Sequence, residues 1–276
     1  MEFLVTLPAY LIVFALGASV GSFLNVVVYR IPAGLSVLYP PSRCPRCYTS
    51  LSLSENVPVL GWLWLKGRCK HCHAPISVRY PIIEALTGCL FLLVFCTSTN
   101  GIEIWGYWAL FSWLLALSLI DLDTLTLPNP LTQSGLIAGL GFQLLKGSQW
   151  PVNISEISHD LMFGIIGSVV GLWLLDAIAF LGSMTLGQTA MGAGDSKLAA
   201  MMGAWLGWKY LLLAGFIACG VGAIVGGGAI ALGWLDRRQP MAFGPFLALG
   251  AAITALWGEV ILGVYFNLFF PLMSIS

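Results

Sequence analysis

Four of the seven cysteines stand in two pairs, Cys44-Pro-Arg-Cys47 and Cys69-Lys-His-Cys72, with 21 residues between them. Each CxxC is a tight turn that sets two sulfurs on one side of a cation. Two such turns make a closed tetrahedral four-cysteine site, the arrangement of structural zinc. Four thiolates on one zinc leave a net double negative charge, which Arg43, Arg46, Arg68 and Lys70 help to offset. The same residues would also allow two disulfides or unpaired thiols. A reducing compartment argues against the disulfides. With four protein ligands no position is open for water, so the site reads as structural rather than catalytic, and no HExxH motif accompanies it. His71 and His73 flank Cys72, either as a substitute ligand or as solvated neighbours. Cys89, Cys96 and Cys219 lie in apolar stretches and read as packing residues.

Two aspartates form the second constellation. Asp121 closes the apolar run WALFSWLLALSLI, and Asp195 sits in Met-Gly-Ala-Gly-Asp-Ser-Lys, 74 residues later. Acids at the edge of apolar segments are costly and need a reason. Gly192 and Gly194 remove side chains beside Asp195, so a second backbone could approach it. Two carboxylates at one depth suggest an aspartyl protease. Such a pair shares one proton and titrates as a unit. One member activates a water as base; the other, protonated, polarises the scissile carbonyl. Taken alone, Gly-Ala-Gly-Asp could equally be a glycine-rich turn with a helix-capping acid, and Asp121 an ordinary interfacial charge.

The elements that must hold these residues are membrane helices. The 276-residue chain is 58% hydrophobic and only 9% charged, whereas soluble chains run near 45–50% apolar and about 25% charged. This excludes an ordinary cytosolic domain, a disordered chain and a disulfide-rich secreted scaffold. Zero net charge gives no bulk attraction to nucleic acid. Apolar segments are expected near residues 8–28, 81–98, 103–120, 131–146, 160–181, 197–206, 209–233 and 243–270. The stretch 197–206 is too short to span and is expected as a short or broken helix packed inside the protein. The fold class is therefore an all-α polytopic membrane protein. About eight hydrophobic helical segments carry a small cytoplasmic four-cysteine zinc-binding insert. The expected divisions are a first transmembrane segment (1–29), the insert (30–80) and a transmembrane domain (81–276). Basic residues follow the first segment and Glu2 precedes it, which fits a signal-anchor better than a cleaved signal peptide. In this topology ten of the twelve Lys/Arg, including Lys197, Arg237 and Arg238, lie on the cytoplasmic side, and only Lys146 and Lys209 lie outside. Both aspartates then stand at cytoplasmic helix ends.

Placed in order along nearly the whole chain, several long motifs resemble the type IV prepilin leader peptidase/N-methyltransferase family of GxGD membrane aspartyl proteases. They are GSFLNVVVYRIP (21–32), the two CxxC pairs, GWLWLKGRCKHC (61–72), ISVRYPIIEALTG (76–88), SLIDLDTLTLPNPLT (118–132), MGAGDSKLAAMMGAWLGW (191–208) and AFGPFLALG (242–250). The resemblance implies Asp121 and Asp195 as the catalytic pair. Asp123 competes for the first role and ranks lower, because the family motif places the acid directly after the apolar run. Implied too is cleavage of the leaders of type IV prepilins and pseudopilins, serving pilus assembly and type II secretion. The reaction would occur at the cytoplasmic face of the bacterial inner membrane, among lipid. Methylation of the new N-terminal residue, typically Phe, from S-adenosyl-L-methionine would follow. The chain carries no strand followed by GxGxxG, and the donor's site is not placed, although residues 21–88 are the natural region.

Two of the family motifs are altered in this chain. Asn129 stands where Asp is frequent, and Gln188-Thr189 where a basic residue and Glu precede the GxGD motif. Glu84 reads either as a contact for substrate or methyl transfer, or as a partner for Arg79. Asp176 reads as a buried polar group or an interfacial charge. Asn25 and Arg30 could position substrate or lipid. Trp62, Trp64, Trp105, Trp108, Trp205 and Trp208 read mostly as interfacial belts. The competing functional class is a non-catalytic zinc-stabilised membrane scaffold or transporter. No inverted repeat is evident to support a transporter.

Overall fold

The computed structural model describes residues 2–52, 54–148, 154–186, 192–234, 236 and 241–270. The expected cytoplasmic placement of Arg237 and Arg238, and the Gln188-Thr189 departure, fall outside the described residues. Among the described residues eight helices follow one another: α1 (Glu2–Arg30), α2 (Leu60–Trp64), α3 (Arg79–Thr97), α4 (Gly101–Thr124), α5 (Asn129–Gly147), α6 (Ile154–Leu186), α7 (Ala193–Ala231) and α8 (Gly244–Phe269). Among the described residues the only β pairings are two isolated bridges, Arg43 with Ser50 and Arg68 with Pro75. Among the described residues six helices are long and apolar enough to cross a membrane: α1, α3, α4, α6, α7 and α8. The expected segment 131–146 does form α5, but Gln133, Ser134, Gln143 and Lys146 dilute its apolar character and it is not among the six.

The chain divides into two compact units, residues 1–112 and 113–276. In the first, α1 packs on α3 through glycines. A side chain at Gly17 would meet Phe91 at 2.8 Å, one at Gly88 would meet Phe14 at 2.7 Å, and one at Gly21 would meet the backbone of Glu84 at 2.8 Å. Lipid offers no hydrophobic drive between helices, so close backbone approach through small residues supplies the packing instead. Trp108 donates its indole N–H to the Phe91 carbonyl (2.9 Å) and stacks on the Phe91 ring. It is buried and is a core residue, not part of an interfacial belt.

In the second unit, α7 is the central element. The expected short helix 197–206 is its first part. Gly207 takes φ 74° and ψ 168°, a break with helix on both sides. A positive φ of this kind suits glycine. A break inside an apolar environment strands carbonyls that have lost their donors. The buried Gln143 side chain of α5 supplies two replacements, donating to the carbonyls of Ala204 (3.3 Å) and Trp205 (3.1 Å). Trp205 in turn donates to the Gly135 carbonyl (2.8 Å) and, like Trp108, is buried rather than interfacial. Along the α6–α7 seam Gly167 faces the Gly203 backbone and Gly171 faces the Ala199 backbone, so neither glycine has room for a Cβ. Cys89, Cys96 and Cys219, expected as packing residues, are exposed on the outer faces of their helices. Asp176 is exposed as well, which removes the buried-polar reading.

Candidate functional site

The four paired cysteines come together within the first unit. Their sulfurs all lie within 4.8 Å of one another, with Cys44 Sγ 3.7 Å from Cys72 Sγ and Cys47 Sγ 3.9 Å from Cys69 Sγ. A tetrahedron with Zn–S bonds of about 2.3 Å has S···S edges of roughly 3.8 Å, so the spacing fits a zinc ion. The two turns are copies of each other. The Cys44 N–H donates to the Thr49 carbonyl and the Tyr48 N–H to the Cys44 carbonyl; the Cys69 N–H donates to Ala74 and the His73 N–H to Cys69. Tyr48 (φ 57°) and His73 (φ 55°) occupy the same left-handed position in each copy. The local bonds also divide the thiols. Hydrogen bonds from the Thr49 side chain and backbone pull the Cys47 thiol down to about 6. Backbone N–H groups of Cys47 and Arg46 lower Cys44. The Ala74 N–H pulls Cys72 the same way, but desolvation and the three neighbouring sulfurs outweigh it and push Cys72 up to about 11. Both histidines stay outside the sulfur cluster; His71 Nε2 lies 3.8 Å from Glu55 Oε1. Glu55 accepts the Ser52 N–H (2.8 Å), which with neighbouring positive charge holds its carboxyl below the usual range.

Both candidate aspartates lie in the second unit, where the end of α4 and the starts of α7 and α8 meet around them. Asp121 is in the last turn of α4 and Asp195 in the first turn of α7; they are only 5% and 8% exposed. The two carboxylates are near enough for their charges to interact. Asp121 Oδ2 accepts the N–H of Gly244, the first residue of α8, at 2.9 Å. Pro245 follows and has no N–H of its own, so Gly244 presents the donor of this helix start to the acid. No side chain fits there: a Cβ on Gly244 would lie 2.7 Å from Asp121 Oδ2. On the other side, Gly192 caps α7 with its carbonyl accepting the Asp195 N–H (3.1 Å). The space where a Gly192 side chain would stand is open, its nearest neighbours being 3.9 Å away or more. Gly194 presses on Leu127, where a Cβ would come within 3.0 Å. The glycines thus do two jobs: Gly194 lets the α4–α5 connection close in, and Gly192 leaves access to Asp195. The start of α7 also sets a positive dipole end under Asp195.

Asp123, two residues on from Asp121, is exposed. Two positions along a helix turn a side chain by about 200°, so Asp121 and Asp123 cannot both face the pair. Asn129 begins α5 and accepts a hydrogen bond from Lys197 Nζ at 2.7 Å. Nothing in AFGPFLALG by itself marks Gly244 as a site residue. A Gly-Pro pair opening an apolar run is a helix-start signal, and nothing in it specifies an acid 123 residues earlier as its acceptor. Glu84 is buried in the first unit and accepts the Val59 N–H at 2.7 Å, tying the insert to α3.

Comparison with known proteins converges on one family. Residues 15–98 match the model of the bacterial peptidase A24 N-terminal domain, and residues 108–227 match the type IV leader peptidase family. A protein of Aeromonas salmonicida (strain A449) named "Prepilin leader peptidase/N-methyltransferase" is 38% identical, covering 93% of each chain. One of the same name from Pectobacterium carotovorum subsp. carotovorum is 38% identical over 85% of this chain and 88% of its own. A third, from Stutzerimonas stutzeri, is 33% identical over 96% and 97%. No solved structure gives a significant match.

Proposed function

The chain belongs to the type IV leader peptidase family, and from that premise we propose that it cleaves the leaders of type IV prepilins and pseudopilins and N-methylates the residue so exposed. It is an enzyme with two activities, in the bacterial inner membrane with its peptidase site at the cytoplasmic face. The observation that carries the peptidase reading is the pair of buried carboxylates, Asp121 and Asp195, brought together from helix ends 74 residues apart. The basic insert supports the orientation, with seven Lys/Arg between Arg30 and Arg79. The substrate's apolar helix would lie in the bilayer while its leader faces this charge.

In the reaction one carboxylate takes a proton from water as the oxygen attacks the scissile carbonyl. The other, protonated, donates to that carbonyl oxygen and stabilises the charge that develops there. Collapse returns the proton to the leaving amine. Gly244 N–H holds the Asp121 carboxylate in place at 2.9 Å, which fixes the orientation of one member of the pair. Cys44, Cys47, Cys69 and Cys72 would hold zinc as a closed structural centre that stabilises the insert. Methylation rests on the name the relatives carry; the methyl donor would be S-adenosyl-L-methionine.

The test is mass spectrometry of a prepilin co-expressed with this chain. Loss of the leader together with a gain of one methyl group on the new N-terminus is expected. An intact leader rejects the peptidase reading, and a cleaved but unmethylated product rejects the second activity.

A further inference from the structure

The first unit contains a cavity of about 340 Å³ between α1 and the insert. That lies within the small-molecule range of roughly 300–1,000 Å³. Ser22, Phe23 and Arg30 line one wall from α1, and Ser42 and Asn56 belong to the insert side. Ser22 to Arg30 runs about 12 Å along the helix axis, so the wall is long enough for an elongated ligand. Arg30 donates to the carbonyls of Ser36 (3.0 Å) and Pro40 (2.7 Å) and so pins the insert's first loop across the cavity. Its guanidinium has five N–H donors, and these two bonds leave others for a ligand. Directly behind the lining stands Glu84. It is buried, it interacts with the Ser22 hydroxyl, and it accepts the N–H of Val59, next to the lining residue Pro58. The cavity therefore presents a cation, hydroxyl and amide groups and an aromatic face, with a buried carboxylate behind Ser22. The peptidase chemistry uses none of these residues.

Resting on the methyltransferase part of the function proposed above, we propose that this cavity binds the adenosyl methyl donor. The Arg30 end would take the donor's carboxylate. Glu84, through the Ser22 side, would favour its positive centre or ribose hydroxyls, and Phe23 would offer a face for the base. In the transfer the substrate amine's lone pair forms the new N–C bond. The C–S bond breaks with its pair going to sulfur, which becomes a neutral thioether, and one proton leaves the amine to water. The sum of charges is unchanged, and no further oxidant or reductant is needed.

The test is equilibrium binding of S-adenosylhomocysteine and of sinefungin, its cationic analogue, to the full chain in detergent, with prepilin cleavage measured in parallel. Asn56→Trp and Val26→Trp fill the cavity from opposite walls. Each should weaken S-adenosylhomocysteine binding at least about tenfold and leave cleavage unchanged. Glu84→Gln keeps an oxygen for the Val59 N–H but removes the charge, so it should erase the preference of the wild type for sinefungin. It also covers the case in which a tryptophan unfolds the insert. If both tryptophan variants cleave prepilin and bind S-adenosylhomocysteine as the wild type does, the donor binds elsewhere and the site is wrong while methylation stands. If Glu84→Gln leaves the sinefungin preference intact, the role given to the carboxylate is wrong. A wild-type chain that cleaves prepilin yet binds neither compound overturns the proposal together with the methylation reading.

Discussion

Gly244→Ala is the sharpest probe of the peptidase geometry, because it adds one carbon at the point where α8 meets Asp121. That carbon would sit 2.7 Å from Asp121 Oδ2 and 3.2 Å from its Cγ. Separations under 3.0 Å essentially never occur, so one partner has to move. The helix start is held by packing and the carboxylate has a rotatable bond, so Asp121 turns away and the 2.9 Å bond from Gly244 N–H is lost. A hydrogen bond to a charged group contributes about 1.5–3 kcal/mol. At about 1.4 kcal/mol per factor of ten, loss of that orientation lowers kcat/KM by about tenfold to about 150-fold. The assay is single-turnover cleavage of a purified prepilin in detergent, normalised to folded enzyme. Gly220→Ala is the control, since nothing lies within 4 Å of a Cβ there and its activity should match the wild type. A Gly244→Ala enzyme with wild-type kcat/KM, at equal folded yield, would refute the claim that this N–H positions the acid.

Other predictions follow from the same structure. The chain should carry one zinc by elemental analysis; Cys47→Ser or Cys69→Ser should lose it and lower the temperature at which the insert becomes protease-sensitive. Zinc binding requires thiolates, and Cys72 is pushed up to about 11 without metal, so loading at pH 7 should release at least one proton, measured by calorimetry in buffers of different ionisation enthalpy; no release would contradict the assignment. Protons compete with zinc for the four sulfurs, so zinc retention should fall as pH falls and hold as it rises. Gly203→Val drives a side chain into the Gly167 backbone; overpacking of this kind costs about 1–3 kcal/mol or more, and thermal unfolding in detergent should show it. Asn129→Asp places an acid on Lys197 Nζ, 2.7 Å away and exposed; exposed ion pairs are worth about 0–1 kcal/mol, so stability and cleavage should change little.

Local signals predicted well the features that depend on nearby residues. Apolar runs marked the helices, the short run 197–206 foretold the break that Gly207 makes, and CxxC spacing foretold the sulfur cluster. Each is decided within a turn or two of chain. What escaped were bonds between distant backbone and side-chain groups. Gln143 reads as one polar residue in a weak membrane segment; its use appears only when α5 lies against the stranded carbonyls of Ala204 and Trp205. Trp108 and Trp205 looked interfacial because tryptophan near a segment end commonly is, yet each found a buried carbonyl. Gly244 reaches Asp121 across 123 residues, a pairing that no local pattern encodes. The choice of Asp121 over Asp123 rests on the family motif, which places the acid directly after the apolar run, and of the two it is Asp121 that is buried.

The central claim is that Asp121 and Asp195 act together as one proteolytic pair, and cleavage rates of Asp121→Asn, Asp195→Asn and the double variant test it most directly. General acid–base groups contribute roughly 10²–10⁴-fold, so each single variant should lose at least that much. Groups that act as a unit are not additive, so the double variant should be hardly worse than either alone. Full cleavage by either single variant, with the chain folded and zinc in place, would contradict the account.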